Sequence, residues 1–267
     1  MPVSVIGLPQ DNNSTYLTGP ATAPEAIRTA LRCDSSNLST ECGLDLGDTD
    51  WWHDLGDVAL SSLGGQAAYD AIHAAVGQAQ TDGPVLALGG DHSVSWPAIT
   101  AAAEHHNGLQ VLHIDAHPDL YDDMQSNRFS HASPFARLME SGAVSRLVQV
   151  GIRTLNRHQA DQAERFGVDI ISMREPDAVF DRRFDGPVYL SLDLDALDPA
   201  FAPGVSHHEP GGLSTRQVID IVQRFHGRLV GADLVELNPA RDLNGVTAMV
   251  AAKLAKEIMA RLHRNVG

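Results

Sequence analysis

Cysteine is scarce in this chain. Cys33 and Cys42 are the only two in 267 residues, too few for a disulfide framework and without the paired spacing of a zinc site. Both read as structural or tolerated residues. Long apolar runs are also missing: none approaches the roughly 18 residues that a membrane span needs, so no membrane protein is expected. The opening Met-Pro-Val-Ser-Val-Ile-Gly-Leu has no basic n-region and no long apolar stretch before a small-residue cleavage site. It does not read as a secretory signal, and a cytoplasmic location is expected. No internal repeat, low-complexity tract or charge block marks a linker or a tail. Positive charge is in short supply too, with 19 Lys and Arg against 34 Asp and Glu for a net charge of −15. That balance repels phosphate backbones and anionic lipid, so neither nucleic acid nor a membrane is expected as a partner. A small cationic substrate would be attracted.

What remains is an ordinary globular composition, 43% hydrophobic and 20% charged, in a chain long enough to bury a sizeable core. One domain spanning residues 1–267 is expected. Short β-branched or leucine-rich runs at 3–8, 85–88, 109–114, 146–151, 188–192 and 228–232 read as strands. Amphipathic or alanine-rich stretches at 24–31, 66–79, 96–105, 131–140, 160–166, 214–225 and 246–262 read as helices. This alternation predicts an α/β fold, helices on both faces of a mainly parallel central sheet. Ser214 and Gln217 have capping-box spacing directly after Gly211-Gly212 and set one helix start. The 34–57 stretch, rich in Ser, Asn, Asp and Gly, reads as a surface excursion. The last helix has several apolar positions and could pack within the fold or between subunits.

Four clusters of acidic residues and histidines fall at the ends of expected strands, where parallel α/β sheets place their ligand sites. The first is Gly89-Gly90-Asp91-His92-Ser93, whose glycines allow a tight turn. Alone, His92 reads as a hydrogen-bonded structural histidine. The second is His113-Ile-Asp115-Ala-His117-Pro-Asp119. Alternate residues of an extended chain share a face, so Asp115, His117 and Asp119 can converge on one point. An acidic turn with a chance histidine is the even-odds alternative there, and His113 stays unassigned. The third cluster sets Asp193 and Asp195 two apart at the end of an apolar run, with Asp198 before Pro199 reading as a turn opener. An unpaired carboxylate at Asp193 would be costly to bury, and a cation resolves that cost. The fourth cluster holds Glu236, which reads either as a rim carboxylate neutralised by Arg241 or as a substrate anchor.

His92, Asp115, His117, Asp119, Asp193 and Asp195 together offer four carboxylates, two imidazoles and no thiolate. That donor set suits ions such as manganese, and its size suits two ions roughly 3.5 Å apart sharing bridging aspartates.

G-G-D-H-S, D-A-H-P-D, D-L-D-A-L-D-P-A-F-A-P-G and V-E-x-N-P, in this order, resemble the signatures of the ureohydrolase (arginase/agmatinase) family. The resemblance runs from Gly19 to Lys253. Tyr121-Asp122, Ser130-His-Ala-Ser133, the 204–212 stretch and Asn238-Pro-Ala-Arg-Asp242 are most similar to plant-type arginases and their bacterial relatives. It implies an arginase-like three-layer αβα fold, a homo-oligomer (trimer or hexamer) and two manganese ions. His92, Asp115, Asp119 and Asp193 would hold one ion, and Asp115, His117, Asp193 and Asp195 the other.

The implied reaction is hydrolysis of a guanidinium compound to urea and an amine. L-arginine leads on resemblance, with agmatine and guanidino acids such as guanidinobutyrate close behind. Asp119 would hydrogen-bond the nucleophile and the tetrahedral intermediate, and Glu236 would hold the cationic head. His131 would donate a proton to the departing amine; without the resemblance it reads as a histidine near the cap of the 131–140 helix. His207 stands where many relatives have threonine, a histidine that plant-type sequences share, and is a candidate for substrate binding. Animal arginases bind the substrate carboxylate through an asparagine and a serine in the loop after D-A-H-x-D, whereas Tyr121 stands near the first of those positions here. Arg128 can supply a positive charge to an α-carboxylate, or be a solvated loop arginine. Two other classes remain: a metal-bound regulatory relative without turnover, and a two-metal phosphate-ester hydrolase, which would want more basic residues around the site.

Overall fold

The apolar runs assemble into one sheet of eight strands, every neighbouring pair parallel. The computed structural model of the protein describes residues 1–264; residues 265–267 of the expected 1–267 domain lie outside the described residues. In chain order the elements are β1 (Val3–Leu8), α1 (Ala23–Arg32), β2 (Trp52–Asp57), α2 (Gly65–Gln80), β3 (Val85–Gly89), α3 (Ser95–His105), β4 (Gln110–Ile114), α4 (Pro134–Ser141), β5 (Arg146–Ile152), α5 (Arg157–Phe166), β6 (Asp169–Ser172), β7 (Arg183–Asp193), α6 (Thr215–Arg224), β8 (His226–Val235) and α7 (Val246–Arg264). Across the sheet they run β2-β1-β3-β8-β7-β4-β5-β6. The sheet is thus parallel throughout, where the sequence predicts a mainly parallel one.

Strand alternation divides the core in two. Leu86, Leu88, Leu112, Ile114, Leu190 and Leu192 point to the layer holding Ile27 of α1, Val218 and Val222 of α6 and Leu254 and Ile258 of α7. Val85, Ala87, Val111 and Tyr189 point the other way, to Ile72 and Val76 of α2, Ala98 and Ile99 of α3 and Phe135 and Leu138 of α4. These are the three layers of an αβα fold. α7 packs within the fold, and each fully buried leucine or isoleucine on it contributes about 1.5–3 kcal/mol over an exposed one.

The capping box forms: Gln217 N donates to Ser214 Oγ at 3.2 Å, and Ser214 N donates to Gln217 Oε1 at 2.9 Å. Two strands escape a reading of the sequence. β2 lies inside the expected 34–57 excursion, as a half-buried edge strand paired only with β1, and β6 is four residues long at the opposite edge. The rest of that excursion is bound to the domain by Glu41. Its carboxylate accepts from both terminal nitrogens of Arg216 (2.6 and 2.9 Å) and from Gln223 (3.1 Å), with Lys253 at 3.4 Å.

Chiefly through Arg216, these partners bring the Glu41 pKa down to about 2. A lowered carboxyl pKa stabilises the fold above the ordinary carboxylate range and loses that contribution as pH falls towards the folded value. Because the group is largely solvent-accessible, its contribution is about 1 kcal/mol or less. Glu41→Gln should lower Tm at pH 7 by about 2 °C or less, and the gap to the parent should narrow steadily as pH falls from 5 towards 2. Thermal scans across that range check this; a gap that widens on acidification would contradict it.

Candidate metal centre

The four clusters leave β3, β4, β7 and β8, which stand together at the centre of the sheet in the order β3-β8-β7-β4. Their carboxyl ends therefore open into one crevice. At the end of β3, Gly90 lies so close to the 10–13 loop that a Cβ would sit 1.8 Å from Gln10 O, a contact only glycine permits. Asp91 then accepts from Ser93 N (3.1 Å) and Asn13 N (3.0 Å), which locks the turn that presents His92. Asp119 and Glu236 have φ of +49° and +66°. Non-glycine residues rarely adopt such values, and the strain is held where side chains must be aimed.

All six expected ligands come together. His92 is fully buried, and its Nδ1 lies 3.2 Å from Asp115 Oδ2, 3.1 Å from Asp119 Oδ2 and 3.1 Å from Asp193 Oδ2. Yet Nδ1 has no hydrogen-bond partner. Its other nitrogen explains this: Ser191 Oγ donates to Asp233 Oδ1 at 2.7 Å and so accepts from His92 Nε2–H at 3.0 Å. Nδ1 is then a bare lone pair facing three carboxylate oxygens, an arrangement that repels itself unless a cation sits among them. A second group forms where His117 Nδ1 lies 3.0 Å from Asp195 Oδ2 and 3.5 Å from Asp115 Oδ1.

Electrostatics tell the same story. Burial, then Asp195 and Asp115, raise the Asp193 carboxyl well above the ordinary range. Burial opposed by His117 leaves Asp195 at about 6. Burial would also raise Asp115, but His113, His117 and His92 outweigh it and hold its carboxyl low. Crowded carboxylates that would take up protons in protein alone are ones a divalent cation can neutralise instead. The residues present fit metal ions.

One rung beneath the ligands runs a polar row that the sequence reading left unassigned. Gln149, His113, Ser191 and Asp233 are register partners across β5, β4, β7 and β8. His113 lies within ligand distance of His92 and Asp115. Both its nitrogens are engaged, however: Nε2 donates to Asp115 Oδ2 at 2.7 Å, and Nδ1 accepts from Gln149 Nε2 at 2.9 Å. Its two nitrogens are thus committed to Asp115 and Gln149. The available signal was a polar residue in the middle of an otherwise apolar strand, as at Gln149 and Ser191.

Above the ligands lies a cavity of about 220 Å³, with His117, Asp119, His131, Asp193, Asp195 and Glu236 among its lining. Glu236 is buried; its Oε1 accepts from His92 N at 2.9 Å and meets His131 Nδ1 at 2.7 Å. His131 and the His92 amide, not Arg241, balance its charge, so the rim reading is set aside. Burial would lower His131, but Glu236 outweighs it and brings the imidazole to about 9. His131 Nε2 lies 2.9 Å from Thr15 Oγ1. The expected helix start is corrected here: α4 begins at Pro134 behind Ser133, and His131 belongs to the turn before it.

His207 joins the site, its ring 5.2 Å from that of His131 and 6.1 Å from that of His117. Burial, then His131, lower its pKa. Arg128 does not join it. Its side chain is 63% exposed and pairs with Glu140 at 3.1 Å, so the expected contact with a substrate carboxylate is corrected to a surface ion pair. Asp198 opens a turn, as expected, accepting from Ala200 N and Gly211 N.

A family model described as Arginase family matches residues 1–260. The chain is 45% identical to arginase 1, mitochondrial, of Arabidopsis thaliana over 98% of its own length and 81% of the relative's. Among solved structures it superposes on an arginase from Medicago truncatula with a TM-score of 0.92 at 42% identity, covering 97% of this chain and 87% of that one. The proclavaminate amidinohydrolase of Streptomyces clavuligerus follows at 0.89 and 29% identity, with coverage of 99% and 92%. With the family match spanning nearly all of the sequence, and relatives above 40% identity along almost its full length, the chain belongs to the arginase family.

Proposed function

We propose that the protein hydrolyses L-arginine to ornithine and urea at a pair of manganese ions. The observation that carries this reading is the bare His92 Nδ1 facing three carboxylates, with the His131–Glu236 pair beside it. His92, Asp115, Asp119 and Asp193 would hold one ion, and Asp115, His117, Asp193 and Asp195 the other. The chemistry that such a pair supplies when bound is a water made nucleophilic near neutral pH.

The residues of the chain do the rest. Glu236 accepts hydrogen bonds from the guanidinium head, which stays protonated at any working pH. Asp119, on its strained backbone, orients the attacking group and accepts from the tetrahedral intermediate. As the C–N bond to the side chain breaks, the leaving nitrogen needs a proton. His131, whose pKa Glu236 brings to about 9, supplies it. Agmatine is the second reading, favoured by the acidic lining of the cavity.

With manganese-loaded protein, urea release should be fastest, by kcat/KM, with arginine among arginine, agmatine, guanidinobutyrate and guanidinopropionate. Metal analysis should approach two ions per chain. Absence of urea from every guanidino compound would overturn the reading, and one ion per chain in active protein would overturn the bridging assignment.

A homo-oligomer, trimer or hexamer, belongs to the same proposal and is checked by light scattering. So does a cytoplasmic location, checked by fractionation. No helix of the described residues is long and apolar enough to cross a membrane.

A further inference from the structure

Among the described residues, no lysine or arginine side chain lines the cavity over the metal centre. A substrate tail carrying only a carboxylate would enter a chamber walled by Asp119, Asp193, Asp195, Glu209 and Glu236 with no lysine or arginine to meet it. The guanidinium of Arg153 is committed elsewhere. Its Nε and Nη2 donate to Glu209 O at 2.9 and 2.6 Å, Nη2 also to Asp195 O at 2.7 Å and Nη1 to Ala196 O at 3.1 Å. Gly212 has to be glycine for this clamp, since a Cβ there would lie 2.6 Å from Arg153 Nη2.

The clamp fixes the backbone of Glu209 and leaves its carboxylate without a hydrogen bond. Glu209 Oε1 is 3.7 Å from His117 Nε2, too long for a hydrogen bond, and its side chain is 39% exposed. The other carboxylates of the lining already have work: Asp119, Asp193 and Asp195 face His92 or His117, and Glu236 is held by His131. With Glu236 given to the guanidinium head, Glu209 is the carboxylate of the lining left for the substrate's tail.

We infer that Glu209 is the specificity-determining residue of this site. It receives the ammonium group at the tail of the substrate and so restricts the enzyme to guanidino compounds that carry one. The inference rests on the guanidino-hydrolase reading above and deepens it. Arginine has its ammonium and carboxylate on the same carbon, so it binds with the ammonium towards Glu209 and the carboxylate towards solvent. Agmatine carries the ammonium alone. Guanidinobutyrate presents a bare carboxylate to a fixed acidic group and is repelled.

Steady-state urea release by manganese-loaded parent, Glu209→Gln and Glu209→Lys, with arginine, agmatine, 4-guanidinobutyrate and 1-butylguanidine, tests this. A half-exposed charge-assisted contact predicts a rise in KM of about fivefold to thirtyfold for arginine and agmatine in Glu209→Gln, with the loss in KM rather than kcat. The neutral-tailed butylguanidine should respond by less than about twofold, since it carries no tail charge. Glu209→Lys should raise kcat/KM for 4-guanidinobutyrate above that of the parent, a gain that misfolding cannot produce.

Equal KM changes for charged and neutral tails, no gain with the lysine variant, or loss of manganese from Glu209→Gln would each overturn the inference. The last would make Glu209 an outer partner of His117. These outcomes differ from failure of the functional reading itself, in which the parent releases no urea from any of the four compounds.

Discussion

In Asp193→Asn, urea release should fall by more than about 100-fold, the upper range for losing a group one shell outside a metal, and manganese should not survive gel filtration. Asp193 lies at the end of β7, 3.1 Å from the unpartnered His92 Nδ1 and buried against Asp195 and Asp115. An amide has the shape of the carboxylate but neither its charge nor its capacity to bridge two cations. A second readout is independent of turnover. Without metal, the raised pKa means that Asp193 stabilises the fold below the ordinary carboxylate range and loses that contribution as pH rises through its folded value. Asparagine mimics the protonated form, so metal-free Asp193→Asn should melt no lower than the metal-free parent at pH 7. Added manganese should stabilise the parent by mass action and leave the variant unmoved. Near-normal activity with two ions retained would refute the bridging role.

His131→Ala should separate chemistry from binding. A positioned proton donor contributes about 10² to 10⁴ in rate, so kcat should drop by that range while manganese content stays at the parent level. His131 can behave in this way because it touches Glu236 and Thr15 rather than the ion-facing oxygens. Added imidazole should restore part of the rate as a diffusible donor. An unchanged kcat would show that the proton comes from elsewhere. Loss of manganese, or unfolding without a specific rate defect in the folded remainder, would make His131 structural.

Much of this was legible in the sequence, for local reasons. Short apolar runs at 85–88 and 109–114 identify strands because a parallel strand covered on both faces buries nearly every side chain. The Ser214 and Gln217 cap is legible because both partners lie within one helical turn. Asp115, His117, Asp193 and Asp195 stand out because charged groups end apolar strands, where burial without a cation would be costly. β2 and β6 were missed because edge strands need little apolar surface: Trp-His-Asp-Leu-Gly-Asp is half-exposed, and Asp-Ile-Ile-Ser offers one buried residue. Arg128 stays open in the sequence between a substrate contact and a solvated loop arginine, because a loop arginine carries no mark of its partner and Glu140 becomes its neighbour only once α4 has formed.

The sequence by itself determined the α/β class, the four strand-end clusters and the donor atoms on offer, because each depends on residues a few positions apart. Only the tertiary structure decided that β3, β4, β7 and β8 would be neighbours in the order β3-β8-β7-β4. It also set Gln149, His113, Ser191 and Asp233 in one row beneath the ligands and brought His131 to Glu236 across 105 residues. Strand order and register are settled by packing between segments distant in the chain, so a contact such as Ser191 with His92 exists only when the whole sheet has closed its ladder.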